Sequence, residues 1–504
     1  MQVRMIGPIG RVTSSPNYKW WAYSAIAVGM FLTVMDQSGV NIALPLIADH
    51  FHADIPTVQW VTLGYVLGTS AMLMPMGRLS DMLGRKTVYM GGFVAFVTFA
   101  IIGGTSESIG MLITAKVLQG IGSAAIQANG MAMVADAFPE RERGKALGFY
   151  MTIIGTGAIS GPIVGGLLVS EFGWRSIFFA SAPVGVLAFL AATLVLQNRT
   201  AGQTGKRPKR SFDWGGAALS SGALISFLLG MTNAHKLGWD SPPIIGAFAL
   251  AVVLAAGFIW WEKRVSDPML DLSFFKSPVF SGGVSARFLQ FLGQSSIFFL
   301  MPFYLVQGLG FAPSQAALLM IPGPIGMAIM GPLSGRFSDK IGTRWLTVTG
   351  MALSVAALLT FSMLHEGSPA IHVMIGMALS GCGNGVFSSP NTSSIMSAQP
   401  RERYGIISAF LNLTRTSANV TGVAIATTIV TFTMASSGFE PSLSAVNGEG
   451  GEAVRMAFME GLKRAYLIGA GFATTALVIT ALKGETRPAP TPESGPRESK
   501  SAPA

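Results

Sequence analysis

GRLSDMLGRKT, residues 77–87, returns as GRFSDKIGTRW at residues 335–345, 258 positions further on, with Gly, Arg, Ser, Asp and Gly in register. A second pair, PERERG from Pro139 and PRERYG from Pro400, repeats at an offset of 261. Two pairs at nearly one offset divide the chain into related halves. Eight apolar segments separate the two copies, so both halves run the same way, as parallel repeats about an axis along the membrane normal.

The surrounding composition makes those segments membrane spans. Of 504 residues half are hydrophobic, 12% are charged and 61 are glycine, far from the roughly one quarter of charged residues in soluble domains. Fourteen apolar runs of spanning length lie near 20–46, 58–77, 87–104, 108–134, 146–169, 176–197, 214–233, 243–261, 279–306, 313–334, 345–363, 371–396, 405–433 and 465–482. An even number puts both termini on one side. With the N-terminus inside, 26 Lys and Arg fall in inner loops and tails, 5 in outer loops and 3 within segments, which fixes the orientation by the positive-inside rule. The net charge of +10 is thereby a matter of topology and not of nucleic-acid binding. The first run has no cleavage site close behind it and is expected to remain as the first helix.

The expected fold is an all-α integral membrane protein of 14 transmembrane helices, two parallel six-helix repeats plus two extra helices between them. The parts are an N-terminal half, 1–200; a linker with the extra pair, 201–275; a C-terminal half, 276–483; and a disordered tail, 484–504, rich in Pro, Ser and Glu.

Four ionisable residues fall inside apolar segments: Asp36, Lys116, Arg287 and Arg415. Such groups are costly in a bilayer and face each other or a water-filled cavity. Asp36 and Lys116 sit at similar depths, roughly 15 and 12 Å from the outer ends of their helices at 1.5 Å per residue, so they are expected to pair. Gln37, Asn41, Gln119, Arg287, Gln290, Gln294, Asn412 and Arg415 are the candidates for a polar substrate cavity, one suited to neutral, zwitterionic or acidic amphiphiles more than to dications. In the repeated loop Asp81 and Arg85, four apart, can pair or cap helix ends, with Asp339 and Arg344 in the second copy, and Gly77 opens the first. GTGAISGPIVGG, residues 155–166, strips side chains from one helix face and places Pro162 in it, which permits close helix contact or a bend. Its counterpart TSANVTGVAIAT, residues 416–427, keeps Gly422 and lacks the proline. The five histidines lie in outer loops or at outer helix ends, and the single Cys382 excludes disulfides and cysteine metal clusters, so no metal is expected. No phosphate-binding loop is present to make ATP the energy source.

These motifs together resemble the major facilitator superfamily, over nearly the whole chain. The loop at 77–86 resembles its best-known signature. Gly148, Gly157, Gly161, Pro162, Gly165 and Gly166 match its antiporter signature at every spacing, and MDQSGVNIALP, GWRSIFFASAP and RERYGIISAFLNLTR resemble signatures of its fourteen-helix drug:proton antiporter branch. Where such exporters commonly carry an arginine, this chain has Lys116 in KVLQG, which keeps the charge without the bidentate fork. The resemblance implies gating by Gly77, Asp81, Arg85, Asp339 and Arg344, and a seal or hinge at Gly157, Gly161, Pro162, Gly165 and Gly166. It implies proton-coupled export of amphipathic small molecules by a protein of the cell membrane, with no cofactor. The protein is then expected to be a monomer among membrane lipids, not an enzyme, and without a nucleic-acid partner. Export of one endogenous lipid or metabolite on the same fold is the alternative; a channel or sensor would need charged rings or a soluble signalling domain, and neither is visible in the sequence.

Overall fold

The computed structural model describes residues 17–53, 55–139, 142–197, 212–266, 268–311, 313–400, 403–439 and 451–482. The basic linker 205–210 and the tail 484–504 lie outside them. The described residues form helices α1 (Tyr18–Phe51), α2 (Ile55–Leu83), α3 (Arg85–Gly104), α4 (Ile109–Ala137), α5 (Arg143–Phe172), α6 (Arg175–Val195), α7 (Trp214–Leu237), α8 (Pro242–Glu262), α9 (Pro278–Phe303), α10 (Pro313–Met320), α11 (Pro322–Ile341), α12 (Arg344–Ser362), α13 (Ala370–Ser397), α14 (Tyr404–Ser436) and α15 (Gly451–Leu482).

Twelve spans among the described residues are long and apolar enough to cross a membrane, where fourteen were expected. One of them, Leu318–Ser338, runs through the junction of α10 and α11. The two expected segments that fall short are α2 and α9, at 29 and 26 residues long enough but diluted by polar side chains. Buried Thr69, Ser70, Arg78 and Ser80 interrupt α2, and buried Arg287, Gln290, Gln294, Ser295 and Ser296 interrupt α9. In both, the polar residues face protein, where neighbours can satisfy them.

The repeated loop has a local cause. Gly84 joins α2 to α3 at φ +100°, and Gly342 joins α11 to α12 at φ +92°. Both sit in the left-handed region that residues with a Cβ avoid, so the last matched glycine of each copy makes the same tight turn. Elsewhere Ser108 caps α4 by accepting from the Met111 amide at 3.2 Å, and Asp213 caps α7 through the Gly216 amide at 2.8 Å.

Helices α1–α6 pack among themselves, as do α9–α15, and the two groups meet where α2 and α4 lie on α14 and where α5 lies on α11 and α13. The α7–α8 hairpin rests on α2 and α14 and so covers one seam between the halves. It is tied down by a bond from Ser221 Oγ to the Ala71 carbonyl, 2.7 Å, and closed on itself by Trp261 Nε1 donating to Asp213 Oδ1, 2.7 Å. The end of the bundle carrying Gly84, Gly342 and the starts of α5 and α14 is called here the basic face.

Candidate functional site

The polar centre of the first half is built from three helices. Asp36, in the middle of α1, is 1% exposed, and its carboxylate has no access to water. Its Oδ2 accepts from Lys116 Nζ at 2.9 Å, and its Oδ1 from Gln119 Nε2 at 3.3 Å and Ser181 Oγ at 2.9 Å. Lys116 and Gln119, three apart on α4, share a helix face and reach the same acid. The ammonium also lies 5.2 Å from the Tyr65 ring and 4.9 Å from the Phe178 ring, which favours the cation electrostatically. Tyr65 is itself anchored, its hydroxyl 2.7 Å from Ser123 Oγ.

Tyr65 separates this ion pair from a cavity of about 130 Å³ between the halves. The first half contributes Gln37, Tyr65, Thr69 and Gln127 to its wall, and the second contributes Arg415, Thr416 and Asn419. Arg415 Nη2 reaches Gln127 Oε1 at 3.4 Å, and Asn412 Nδ2 donates to the Gln127 carbonyl at 2.9 Å, so α4 and α14 are joined at the cavity.

Of the residues expected around a cavity, Gln37 and Arg415 line this one. Gln119 lies behind Tyr65 with Asp36. Arg287, Gln290, Gln294 and Asn412 are buried in the second half and at its seam: Arg287 bonds Thr392 Oγ1 at 3.0 Å and the Leu411 carbonyl at 3.3 Å, and Gln290 Nε2 bonds Asn384 Oδ1 at 3.3 Å. Gln294 accepts from Ser380 Oγ at 2.7 Å and donates to Ser354 Oγ at 3.2 Å. Asn41 is exposed one turn beyond Gln37, accepting from Thr62 Oγ1 at 3.1 Å. The sequence reading did not single out Tyr65, Gln127 or Ser181. Gln127, a polar residue within apolar IQANGMAM, carried a usable signal; Tyr65 and Ser181 are unexceptional in helices and gave none.

Between cavity and basic face the halves are sealed. Asp81, near the end of α2, accepts the Gly405 and Ile406 amides at the start of α14, both at 3.1 Å, thereby capping a helix of the other half. Arg85 holds the same carboxylate at 3.4 Å and also pairs with Asp136. Gly77 lies against the Gly405 carbonyl, where a Cβ would be 2.9 Å from its oxygen. Arg143 Nη1 reaches Tyr404 Oη at 3.0 Å and Ser397 Oγ at 3.2 Å. In the second copy, Arg344 is exposed and donates to the Ala481 carbonyl at 2.6 Å, within its own half. The Asp339 side chain lies outside the described residues.

The glycines of α5 divide by neighbour. Gly148 meets Gly331 across the halves, near the basic face. Gly157, Gly161 and Gly165 instead press on α1 of their own half: a Cβ would stand 3.2 Å from the Phe31 carbonyl at Gly157, 2.6 Å from that of Met35 at Gly161, and 3.0 Å from that of Gly39 at Gly165. Gly166 faces open space, and the Pro162 side chain lies outside the described residues.

An all-helical, apolar bundle of two related halves around a polar cavity defines a multi-pass membrane transporter. The chain belongs to the Major Facilitator Superfamily, whose family model matches residues 26–423. It is 30% identical over 406 residues to the riboflavin transporter RibZ of Clostridioides difficile (strain 630), covering 81% of this chain and 87% of that one. It is 32% identical over 402 residues to the multidrug resistance protein Stp of Mycobacterium tuberculosis (strain CDC 1551 / Oshkosh), covering 80% and 74%. In fold it is similar to the human organic anion transporter MFSD10 (TETRAN), with a TM-score of 0.65 at 16% identity, over 93% of this chain and 100% of that one. Its family and these relatives are transporters and not enzymes.

Proposed function

We infer that the protein is a proton-coupled antiporter that exports amphipathic small molecules by alternating access, with all fourteen helical segments crossing the cell membrane and the basic face toward the cytoplasm. The observation that carries this reading is the buried Asp36–Lys116 pair, 2.9 Å apart, with the Tyr65 ring 5.2 Å from the ammonium and lining the cavity. Asp36 is proposed to carry the exchangeable proton, taken up and released as its contact with Lys116 loosens and re-forms during the cycle. Cargo against Tyr65 and Gln37 can act on the pair through one side chain, which links occupancy of the cavity to the proton.

The seal at the basic face supplies the conformational half. With Asp81 capping α14 and α5 lying on α11, the cavity is closed from the proposed cytoplasm. Opening that side requires the cap to be released and the two halves to rock apart. A proton moving inward gains about 2.3 kcal/mol per 100 mV and about 1.4 kcal/mol per pH unit, enough to sustain a substantial gradient of cargo. RibZ and Stp, each named for moving or resisting small organic molecules, support this cargo class. The cavity between the halves is lined by residues of this chain, and the protein is proposed to act alone among membrane lipids, without cofactor.

The test is substrate-induced proton release from detergent-solubilised protein. Wild type should release protons on binding cargo and Asp36→Asn should not, while Asp36→Asn in liposomes should lose gradient-driven export. A variant that releases protons and exports uphill like wild type removes Asp36 from the mechanism.

A further inference from the structure

The charges around the cavity are not balanced, and the imbalance has a sign. Asp36 is matched by Lys116 and its two oxygens are engaged by Lys116, Gln119 and Ser181. Across the seam stand two arginines whose hydrogen-bond partners are all neutral: Gln127 for Arg415, and Thr392 with the Leu411 carbonyl for Arg287. Arg287 is fully buried with Nη2 unpartnered, and Arg415 has a buried, unpartnered Nε. Arg415 lies within electrostatic reach of Arg287. Beside Arg415 the buried hydroxyl of Tyr150 is also unpartnered.

Buried cations ordinarily sit beside a carboxylate, because leaving water without one costs several kcal/mol per ion. Here, among the described residues, a guanidinium that lines the cavity has no acid as a partner, a second guanidinium lies within electrostatic reach of it, and a spare hydroxyl donor stands beside it. We propose that the cavity binds an organic anion: an amphipathic substrate whose acidic group sits against Arg415, with Arg287 adding to the field. The planar fork of Arg415 can take a carboxylate or similar oxyanion in two parallel bonds, which a neutral or cationic group cannot use. Thr416, Asn419 and Gln37 offer further polar contacts, and Val66 and Val420 offer apolar wall for the body of the molecule. This specifies the cargo of the site described above and rests on that cavity being the transport site. It carries an electrical consequence: one proton in and one monoanion out move two charges in the same sense, so an inside-negative potential drives export directly.

The test uses three probes sharing one fluorophore: pyrenebutyrate, its methyl ester, and a pyrenylbutyl trimethylammonium cation. Binding to the full chain in phosphatidylcholine nanodiscs at neutral pH is read by energy transfer from the protein's tryptophans. Pyrenebutyrate should bind about tenfold or more tightly than either of the others, the scale of a charge-assisted contact. Arg415→Gln should remove that preference and Arg415→Lys should retain part of it. Equal binding of the three probes, preference for the cation, or an intact preference in folded Arg415→Gln overturns the proposal; should Arg415→Gln not fold, the wild-type ranking alone decides. Nanodiscs containing phosphatidylglycerol separate two sources of the anion. Displacement of pyrenebutyrate there assigns the site to a lipid headgroup, undiminished binding assigns it to a soluble acid, and both keep the anion site. Because the readout is binding, it stands or falls independently of whether Asp36 carries the coupling proton.

Discussion

The two halves bury polar side chains at similar depth and use them differently. In the first, α1 meets α4 through a charged pair, Asp36 and Lys116, reinforced by Gln119 and Ser181. In the second, the matching helices α9 and α13 meet through neutral groups, Gln294 and Ser380, with Ser354 completing the contact. A neutral amide–hydroxyl network holds helices together and responds little to pH. An ion pair in the same setting can gain or lose a proton and has a strong penalty if one partner is removed. The repeat therefore supplies the scaffold twice and the buried ion pair once, and near the seam the second half adds Arg287 and Arg415, whose hydrogen-bond partners are neutral.

The largest effect should come from unbalancing the ion pair. Lys116→Met leaves a buried carboxylate without its cation, and such single removals cost about 3–5 kcal/mol, whereas removing both partners often costs little. Lys116→Met should thus lower the melting temperature of the solubilised protein markedly, and Asp36→Asn/Lys116→Met should recover much of it without recovering uphill export. Gln294→Met in the second half should cost less, about 1–3 kcal/mol for the serines left behind, and leave proton coupling intact. If Gln294→Met uncoupled transport as Asp36→Asn does, the division of labour between the halves would be wrong.

The second comparison is between Gly161 and Gly422, 261 positions apart. Gly161 admits Ser38 and the Met35 carbonyl of α1, and Gly422 admits Ser295 and the Leu292 carbonyl of α9. The intervals from Met35 to Ser38 and from Leu292 to Ser295 are both three, so one close helix crossing occurs in each half. Alanine at either site overpacks that crossing, for about 1–3 kcal/mol. Equal losses of stability with equal losses of export would reduce the glycine-rich stretch of α5 to packing. A proton leak confined to Gly161→Ala, measured in liposomes with an imposed pH gradient, would give it the sealing role its signature implies.

These pairs also mark what the sequence could and could not disclose. The repeated loops and the family were legible because they rest on spacing, which survives without coordinates. The meeting of Asp36 with Lys116 was legible because two opposite charges at similar depth in an apolar chain have few other partners. The cavity was half legible. Polar residues inside spans could be found, but which of them face a shared space depends on helix rotation, so Gln294 and Arg287 were grouped with Gln37 although they are buried elsewhere. Ser181 and Tyr65 were invisible because a serine or tyrosine in a helix is ordinary until its neighbour is known. The sequence led to fourteen spans where twelve among the described residues qualify, because at α2 and α9 polar residues that face protein dilute the apolar signal.

Smaller effects should come from the basic face, where the first loop copy is engaged across the seam. Asp81→Asn keeps a capping oxygen for α14 but removes the charge that the helix start favours, for about 0.5–1 kcal/mol. Since the cap is formed only while that side is closed, its weakening should shift the balance between conformations and change the transport rate several-fold. Affinity for cargo should stay within a few-fold, because the cavity lies deeper. A large loss of affinity at normal turnover would contradict a latch.

The smallest effect is expected at the second copy. Arg344 aligns with the same basic stretch of the motif, yet its guanidinium is exposed and bonds the Ala481 carbonyl at the end of α15 in its own half. A cation at a helix C-terminus that is open to solvent is worth about 0.3–1 kcal/mol at low salt and less at physiological ionic strength. Arg344→Gln should therefore shift the melting temperature by no more than a degree or two and leave the transport rate close to wild type, in contrast to Asp81→Asn. Parallel rate measurements on the two variants decide whether the repeat carries two latches or one. If Arg344→Gln slowed transport as much as Asp81→Asn, the second loop would also engage the first half during the cycle, in a conformation in which Arg344 leaves the end of α15.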